Sequence, residues 1–205
     1  MPSELDRQRT AVLPEAVKIA LNKCAAELTG ALVLCGFPAS GKSTAATYVA
    51  GLVGATVLDK DGLAPGLEQA VMRELTGDPY DRDSDTYKAV VGPHIYDSLI
   101  RTGMIVAARH PVVLDAPFLE AIRQAAPQRM PLAEHLRTRS GLTTAVPLTT
   151  VWLNTPTPQI RTRMISRGAE RDDPKLADWA AYESGVLDSG IRELAHAVVD
   201  IVIDN

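Results

Sequence analysis

Apolar and polar positions along this 205-residue chain switch repeatedly between two periods. Ala31-Leu32-Val33-Leu34-Cys35 is an unbroken apolar run, the pattern of a strand covered on both faces. Runs at 112–114, 148–153 and 198–203 repeat it, and 55–58 gives a shorter version. Between the runs, apolar residues fall at helical spacing. Val17, Ala20, Leu21, Cys24 and Leu28 fit a helix over 14–28, with Pro14 admissible in its first turn. Segments 42–53, 65–76, 85–108, 117–126, 156–168 and 175–195 read as further helices, with 85–108 broken at Gly92-Pro93. Strands separated by helices predict an α/β protein with a parallel sheet and helices on both faces. Two polar stretches bearing Pro or Gly, 77–86 and 127–147, read as loops over a site rather than linkers, so residues 1–205 form one domain.

The strand at 31–35 runs into Gly36-Phe37-Pro38-Ala39-Ser40-Gly41-Lys42-Ser43, followed by Thr44 and a helical pattern. This is G-x-x-x-x-G-K-[ST] in its required strand–loop–helix context. From average residue usage, a chance match in such a chain is on the order of one in a hundred. The physics explains the spacing. Glycines reach backbone angles closed to other residues. The loop then aims its N–H groups at a phosphate, and the next helix adds its positive end. Lys42 supplies a mobile cation for the β- and γ-phosphates, and the Ser43 hydroxyl can ligate Mg²⁺. Residues 36–44 are therefore expected to bind a nucleoside triphosphate.

Composition narrows the setting. Apolar residues make up 46% of the chain and charged residues 22%, an ordinary globular balance that excludes a mainly disordered chain. A net charge of −4 provides no global field toward nucleic acid or an anionic membrane. Two cysteines, Cys24 and Cys35, are too few for a disulfide framework and read as buried thiols. No apolar run reaches membrane-spanning length, and the N-terminal residues have no signal-peptide core, so a soluble cytoplasmic protein is expected. The four histidines show no metal-ligand spacing. Arg129, His135, Arg137 and Arg139 gather in 127–147 without interleaved aromatics, which favours a solvated loop over a nucleic-acid contact.

Carboxylates at strand ends carry the remaining chemistry. Asp115 ends the 112–114 run, at the sheet edge where ligands of open parallel sheets bind, and is a candidate for holding Mg²⁺. Asp59 and Asp61 follow the second strand and would share a face of an extended strand end. One of them, Asp61 by preference, can orient an acceptor hydroxyl and take its proton. Arg163, Arg167 and Arg171 are spaced i, i+4, i+8, which would stack them on one helical face as a phosphate-covering lid. The acceptor is expected between the Asp61 loop and 77–90, where Arg82, Asp83 and Tyr87 are candidate contacts and Asp85 a candidate N-cap.

The phosphate loop, Asp59-Lys60-Asp61, Val112-Val113-Leu114-Asp115-Ala116-Pro117-Phe118, and Val151-Trp152-Leu153 followed by Arg163, Arg167 and Arg171 occur in an order that resembles a known group. These are the small P-loop kinases grouped with zeta toxins and chloramphenicol phosphotransferase, often labelled AAA-type ATP-binding domains. The resemblance spans roughly 31–175. It implies a three-layer α/β/α P-loop NTPase with an adenylate-kinase-like five-stranded sheet of order 2-3-1-4-5. It also implies a small helical lid near 156–174 and acceptor-site loops near 61–90 and 127–147. The implied activity is ATP- and Mg²⁺-dependent phosphate transfer to a hydroxyl of a small molecule such as a sugar, nucleoside or antibiotic. Asp61 would be the base, Arg163 and Arg167 catalytic lid residues, and Arg171 a nucleotide contact. Nucleoside monophosphate kinase, polynucleotide-end kinase, zeta-like toxin and nucleotide-dependent switch are the alternatives. Asp115-Ala116-Pro117-Phe118 lacks the arginine that adenylate-kinase-like sequences carry next, and no N-K-x-D guanine-reading segment follows the loop.

Overall fold

The computed structural model describes residues 13–142 and 146–205. The apolar runs form β1 (Ala31–Cys35), β2 (Thr56–Asp59), β3 (Val112–Asp115), β4 (Leu148–Asn154) and β5 (Ile201–Asp204). All neighbours pair in parallel, in the order β2-β3-β1-β4-β5. The intervening helices are α1 (Glu15–Ala26), α2 (Lys42–Val53), the single turn α3 (Lys60–Leu63), α4 (Pro65–Thr76), α5 (Gly92–Ala107), α6 (Leu119–Ala125), α7 (Leu132–Ser140), α8 (Thr157–Arg167), the short α9 (Asp173–Ala177) and α10 (Trp179–Tyr182), and α11 (Ile191–Val198).

The two-sided burial predicted for the strands divides residue by residue. Ala31, Val33 and Cys35 of β1 join Val112, Leu114, Leu148 and Trp152 in a core beneath α5, α6, α7 and α11. Leu32 and Leu34 join Val113, Val151 and Leu153 in a second core beneath α1 and α2. Burying each such side chain contributes about 1.5–3 kcal/mol. Register then aligns the functional edge: Leu34 pairs with Asp115, and Asp115 with Asp59. The strand that launches the phosphate loop therefore has both candidate strand-end carboxylates to one side.

Three segments differ from the sequence reading. Gly92-Pro93 does not break the 85–108 helix: a π-helical turn (Tyr87–Val91) runs straight into α5, and Pro93 occupies its first turn, where a missing N–H costs nothing. Ser84, rather than Asp85, caps the entry by accepting from the Tyr87 N–H at 3.1 Å. The 127–147 stretch is not an acceptor-site loop. It folds α7, whose Arg137 donates to the Val146 and Leu148 carbonyls at the amino edge of β4, opposite the phosphate loop. Arg139 pairs with Asp97 of α5, so Arg137 and Arg139 serve the fold; 143–145 lie outside the described residues. Finally, 175–195 is not one helix. α9, α10 and a π-helical turn (Glu183–Leu187) lead to α11, which starts after Gly190 at φ 77°.

Cys24 and Cys35 are buried and unpaired. Among the described residues, no helix is long and apolar enough to cross a membrane. Gly30 marks a tight approach: a Cβ there would lie 2.2 Å from the Pro147 carbonyl oxygen, which accepts from the Ala31 N–H as β1 and β4 begin to pair. Gly30→Ala must push those strand ends apart. It is expected to lower unfolding free energy by about 1–3 kcal/mol in denaturant titrations.

Candidate active site

Beyond β1 the backbone enters conformations that only a short list of residues tolerates. Gly36 has φ 148°, Ala39 φ 61° and Gly41 φ 95°. A Cβ on Gly36 would stand 2.6 Å from Ser40 Oγ. Ala39 pays for a left-handed conformation with roughly 1–2 kcal/mol. Distant elements grip the loop at one acceptor: the Ser40 carbonyl receives Thr155 Oγ1 at 3.0 Å, Arg163 Nη1 at 3.1 Å and Asn205 Nδ2 at 2.6 Å. Phe37 is fully buried, edge-to-face on Trp152 with ring centroids 5.2 Å apart, and Arg192 lies 4.8 Å over its other side. Only the Phe37 backbone can serve a nucleotide. Pro38, Ala39, Gly41, Ser43 and Thr44 are half-buried, at or next to the exposed start of α2.

Lys42 is buried and donates Nζ to the Phe37 carbonyl at 2.8 Å, curled back over its own loop. Burial lowers the pKa of its ammonium, against the pull of Asp115. Asp115 is 3% exposed, and its Oδ2 has no hydrogen-bond partner among the described residues. Burial raises its carboxyl above the ordinary value, against Lys42 and the Ser43 hydroxyl. A buried, unsatisfied carboxylate oxygen beside a loop serine fits a hydrated Mg²⁺ bound mainly by phosphate oxygens. Among the described residues no cluster of three His, Cys, Asp or Glu could hold a metal alone, so a nucleotide would have to complete the coordination.

Asp59 and Asp61 do not share an extended face, because the chain turns into α3 directly after Asp59. Asp59 is the N-cap and accepts from the Asp61 N–H at 3.2 Å. Burial, then Asp115 and Asp61, push its carboxyl up to about 6. Asp61 moves the other way: against partial desolvation, Lys60 and then Arg171 hold its carboxyl below the usual range. Two aspartates two residues apart thus acquire opposite character.

The three arginines also separate. α8 ends at Arg167, and Gly168 at φ 58° turns the chain away, so Arg171 lies beyond the helix. Arg163 braces the Ser40 carbonyl from behind. Arg167 pairs through Nε, at 2.9 Å, with the buried carboxylate of Asp172. Arg171 crosses to Asp61 Oδ2 at 2.7 Å, and Lys175 crosses to Asp83 Oδ2 at 2.7 Å. On the acceptor side, Tyr87 is 6% exposed and donates its hydroxyl to Glu68 at 2.6 Å; its ring is not a stacking platform. Arg82 is spent on the same Glu68 at 3.0 Å. Asp83 alone of these three remains largely exposed.

Several residues escape sequence reading. Thr155 and Asn205 stand just past strand ends, a position the pattern of buried runs could have marked. Lys60 and Glu68 are buried charges on short or amphipathic helices, and only their tertiary partners reveal them.

A glycine-rich loop leading from the central strand of a 2-3-1-4-5 parallel sheet into a helix, with its lysine and a strand-end aspartate alongside, defines a P-loop nucleotide-binding protein. More particularly, the chain belongs to the AAA domain family, whose family model matches residues 32–186. No curated protein matches it in sequence. Among solved structures it is similar to shikimate kinase from Acinetobacter baumannii in complex with shikimate, at 22% identity and TM-score 0.47, covering 89% of this chain and 87% of that one. It is also similar to a gluconokinase from Sinorhizobium meliloti, at 18% identity and TM-score 0.43, covering 86% of this chain and 83% of that one.

Two outcomes follow from this geometry. Mg-ATP at about a hundred times its Kd should stabilise the protein by about 2.7 kcal/mol, and Lys42→Ala should abolish most of the corresponding rise in Tm. Asp59→Asn keeps the cap and removes the repelled charge. The folded carboxyl titrates at about 6, above the roughly 4 of an unfolded aspartate. The folded state therefore holds its proton longer, and wild-type stability falls as pH rises through that window. The stability of Asp59→Asn relative to wild type should grow over the same window in paired denaturation curves.

Proposed function

We propose that the protein is an ATP- and Mg²⁺-dependent kinase that transfers the γ-phosphate to a hydroxyl of a small molecule, of the sugar, nucleoside or antibiotic-like kind. The observation that carries this reading is Asp61. It lies in the turn beyond the carboxyl edge of the sheet, within the field of Lys42, with one oxygen paired to Arg171 of the lid segment. A carboxylate between a phosphate-binding lysine and a lid arginine suits a group that meets an acceptor hydroxyl.

In this mechanism Lys42 leaves the Phe37 carbonyl for the triphosphate, and the loop amides at the start of α2 cradle the β-phosphate. Ser43 and Asp115 would hold Mg²⁺, which supplies charge neutralisation at the phosphates. Arg171 exchanges Asp61 for phosphate, which frees Asp61 Oδ2 to accept the acceptor's hydroxyl hydrogen bond. The acceptor oxygen then bonds to the γ-phosphorus as the bond to the β-bridging oxygen breaks. Its proton passes to Asp61 and ADP leaves with the bridging oxygen. Arg163 acts behind the loop rather than on the γ-phosphate, and Arg167 positions the lid through Asp172.

The same contacts favour an acceptor without a phosphate of its own. Arg82 is committed to the buried Glu68 carboxylate, and a monophosphate acceptor drawn to Arg82 would have to displace that pair. The finer placement beside zeta toxins and chloramphenicol phosphotransferase rests on the sequence segments alone. ADP release should be measured with Mg-ATP against sugars, nucleosides, nucleoside monophosphates, hydroxylated antibiotics and oligonucleotide 5′ ends. A hydroxylated small molecule should stimulate release well above the water background. With that acceptor, Asp61→Asn should lower kcat on the order of a hundredfold or more while ATP affinity holds. Undiminished turnover would remove Asp61 from the mechanism.

A further inference from the structure

Lys60 is the residue between the two strand-end aspartates, and it points inward. It is 8% exposed, with Nζ 2.9 Å from Asp61 Oδ1, 3.1 Å from Tyr87 Oη and 3.5 Å from Glu68 Oε1. Tyr87 passes its own hydroxyl hydrogen to Glu68 Oε1 at 2.6 Å, and Arg82 Nε reaches that same oxygen at 3.0 Å. Glu68 is itself 3% exposed. A charged chain therefore runs from Asp61 through Lys60, Tyr87 and Glu68 to Arg82, joining α3, α4 and the 78–91 flap.

The two oxygens of Asp61 consequently have unlike partners. Oδ1 is held from within the fold by an ammonium that burial and neighbours immobilise. Oδ2 is held from outside by Arg171, with both side chains exposed, at 41% and 47%. An inward partner persists when the lid moves, and an outward partner does not. Burying an ammonium beside a carboxylate costs desolvation, and a cheaper residue would satisfy Glu68, which already has Tyr87 and Arg82. The arrangement is economical only if the orientation of Asp61 matters.

We propose that Lys60 is a positioning residue that pins Asp61 Oδ1 and leaves Oδ2 as the oxygen presented to the acceptor, with its own position set by Glu68 of α4 and Tyr87 of the 78–91 segment. This rests on the kinase reading of Asp61. Pinning removes the carboxylate rotation that would otherwise misplace the accepting oxygen, and misplacement of about 1 Å costs on the order of a hundredfold in rate. The ammonium also keeps Asp61 ionised. Other groups face that carboxylate too: Asp59 at the end of β2, Asp115 at the end of β3, Lys42 of α2 and Arg171 of the lid segment. Arg171 and Lys42 lower its pKa, Asp61 in turn raises the carboxyls of Asp59 and Asp115, and all four groups remain when Lys60 is changed.

The test compares wild type with Lys60→Met and Lys60→Arg in the full-length chain. The midpoint of the Asp61 carboxyl is read by carbon-13 NMR titration, alongside kcat and the KM for ATP with the stimulating acceptor. Lys60→Met loses the cation, so the Asp61 midpoint and the acid limb of kcat should both move to higher pH. Its kcat should fall roughly tenfold or more, with the KM for ATP changed less than twofold. Lys60→Arg should keep the midpoint and recover most of kcat. If Lys60→Met does not fold, the charge-balanced pair Lys60→Met with Glu68→Gln replaces it, with the same expectation. An unmoved Asp61 midpoint in a folded Met variant, or equal losses in the Met and Arg variants, overturns the proposal. Asp61→Asn with undiminished turnover instead overturns the kinase reading of Asp61, and the NMR titration still decides whether Lys60 pins the carboxylate.

Discussion

One carbonyl oxygen, that of Ser40, organises this molecule. It lies in a loop whose backbone is held at unusual angles by Gly36, Ala39 and Gly41, and it collects donors from the ends of β4 and β5 and from α8. Each hydrogen bond contributes about 1 kcal/mol net, more for the guanidinium. Together they offset the strain at Ala39. The phosphate loop is thus shaped less by its own residues than by three elements far along the chain. Lys42, Ser43 and the start of α2 take their positions from a clamp that includes Thr155 and Asn205, so the carboxyl edge of the sheet behaves as a single unit.

Charge at that edge is distributed by neighbours rather than by residue type. Asp59, Asp61 and Asp115 are the same chemical group within one small region. Asp59 spends a carboxylate oxygen on a helix cap, lies near two other acids and titrates at about 6. Asp61 has Lys60 and Arg171 against its two oxygens and stays ionised far lower. Asp115 is enclosed, with one oxygen unsatisfied, the state of a carboxylate that a hydrated cation would complete. A helix cap, the proposed proton acceptor and the proposed metal ligand are drawn from one side chain by register and neighbours.

Much of this was legible in the sequence, and the rest was not for identifiable reasons. The inner strands β1, β3 and β4 stood out because they are covered on both faces, whereas the edge strands β2 and β5 are largely exposed, and the phosphate loop stood out because its spacing is rigidly tied to backbone geometry. Asp115 and Asp61 followed from their places after strands. The 127–147 segment misled because polar composition and a proline mask a helix whose Arg137 caps the carbonyls of Val146 and Leu148 where β4 begins. The arginine spacing misled because Gly168 ends α8 before Arg171 can join its face. Tyr87 read as a contact for the acceptor, yet its ring is buried and its hydroxyl donates to the buried Glu68. Pairings across 19 or 110 residues leave no periodic trace in sequence.

The segment after α8 meets α3 and the 78–91 segment through two ion pairs, Arg171 with Asp61 and Lys175 with Asp83. Three of the four side chains are substantially exposed, so water and salt screen both contacts. Pairs of this kind contribute about 0–1 kcal/mol each. That weakness suits the position. In the proposed mechanism an incoming triphosphate, with its several negative charges, would displace the single Asp61 carboxylate from Arg171 at small cost. The Lys60 contact on the other oxygen is buried and has no such competitor. Exchange at one oxygen and retention at the other would let nucleotide arrival uncover the carboxylate without disturbing its orientation. The acceptor would then meet a group already in place when the lid arginine has turned to the phosphate.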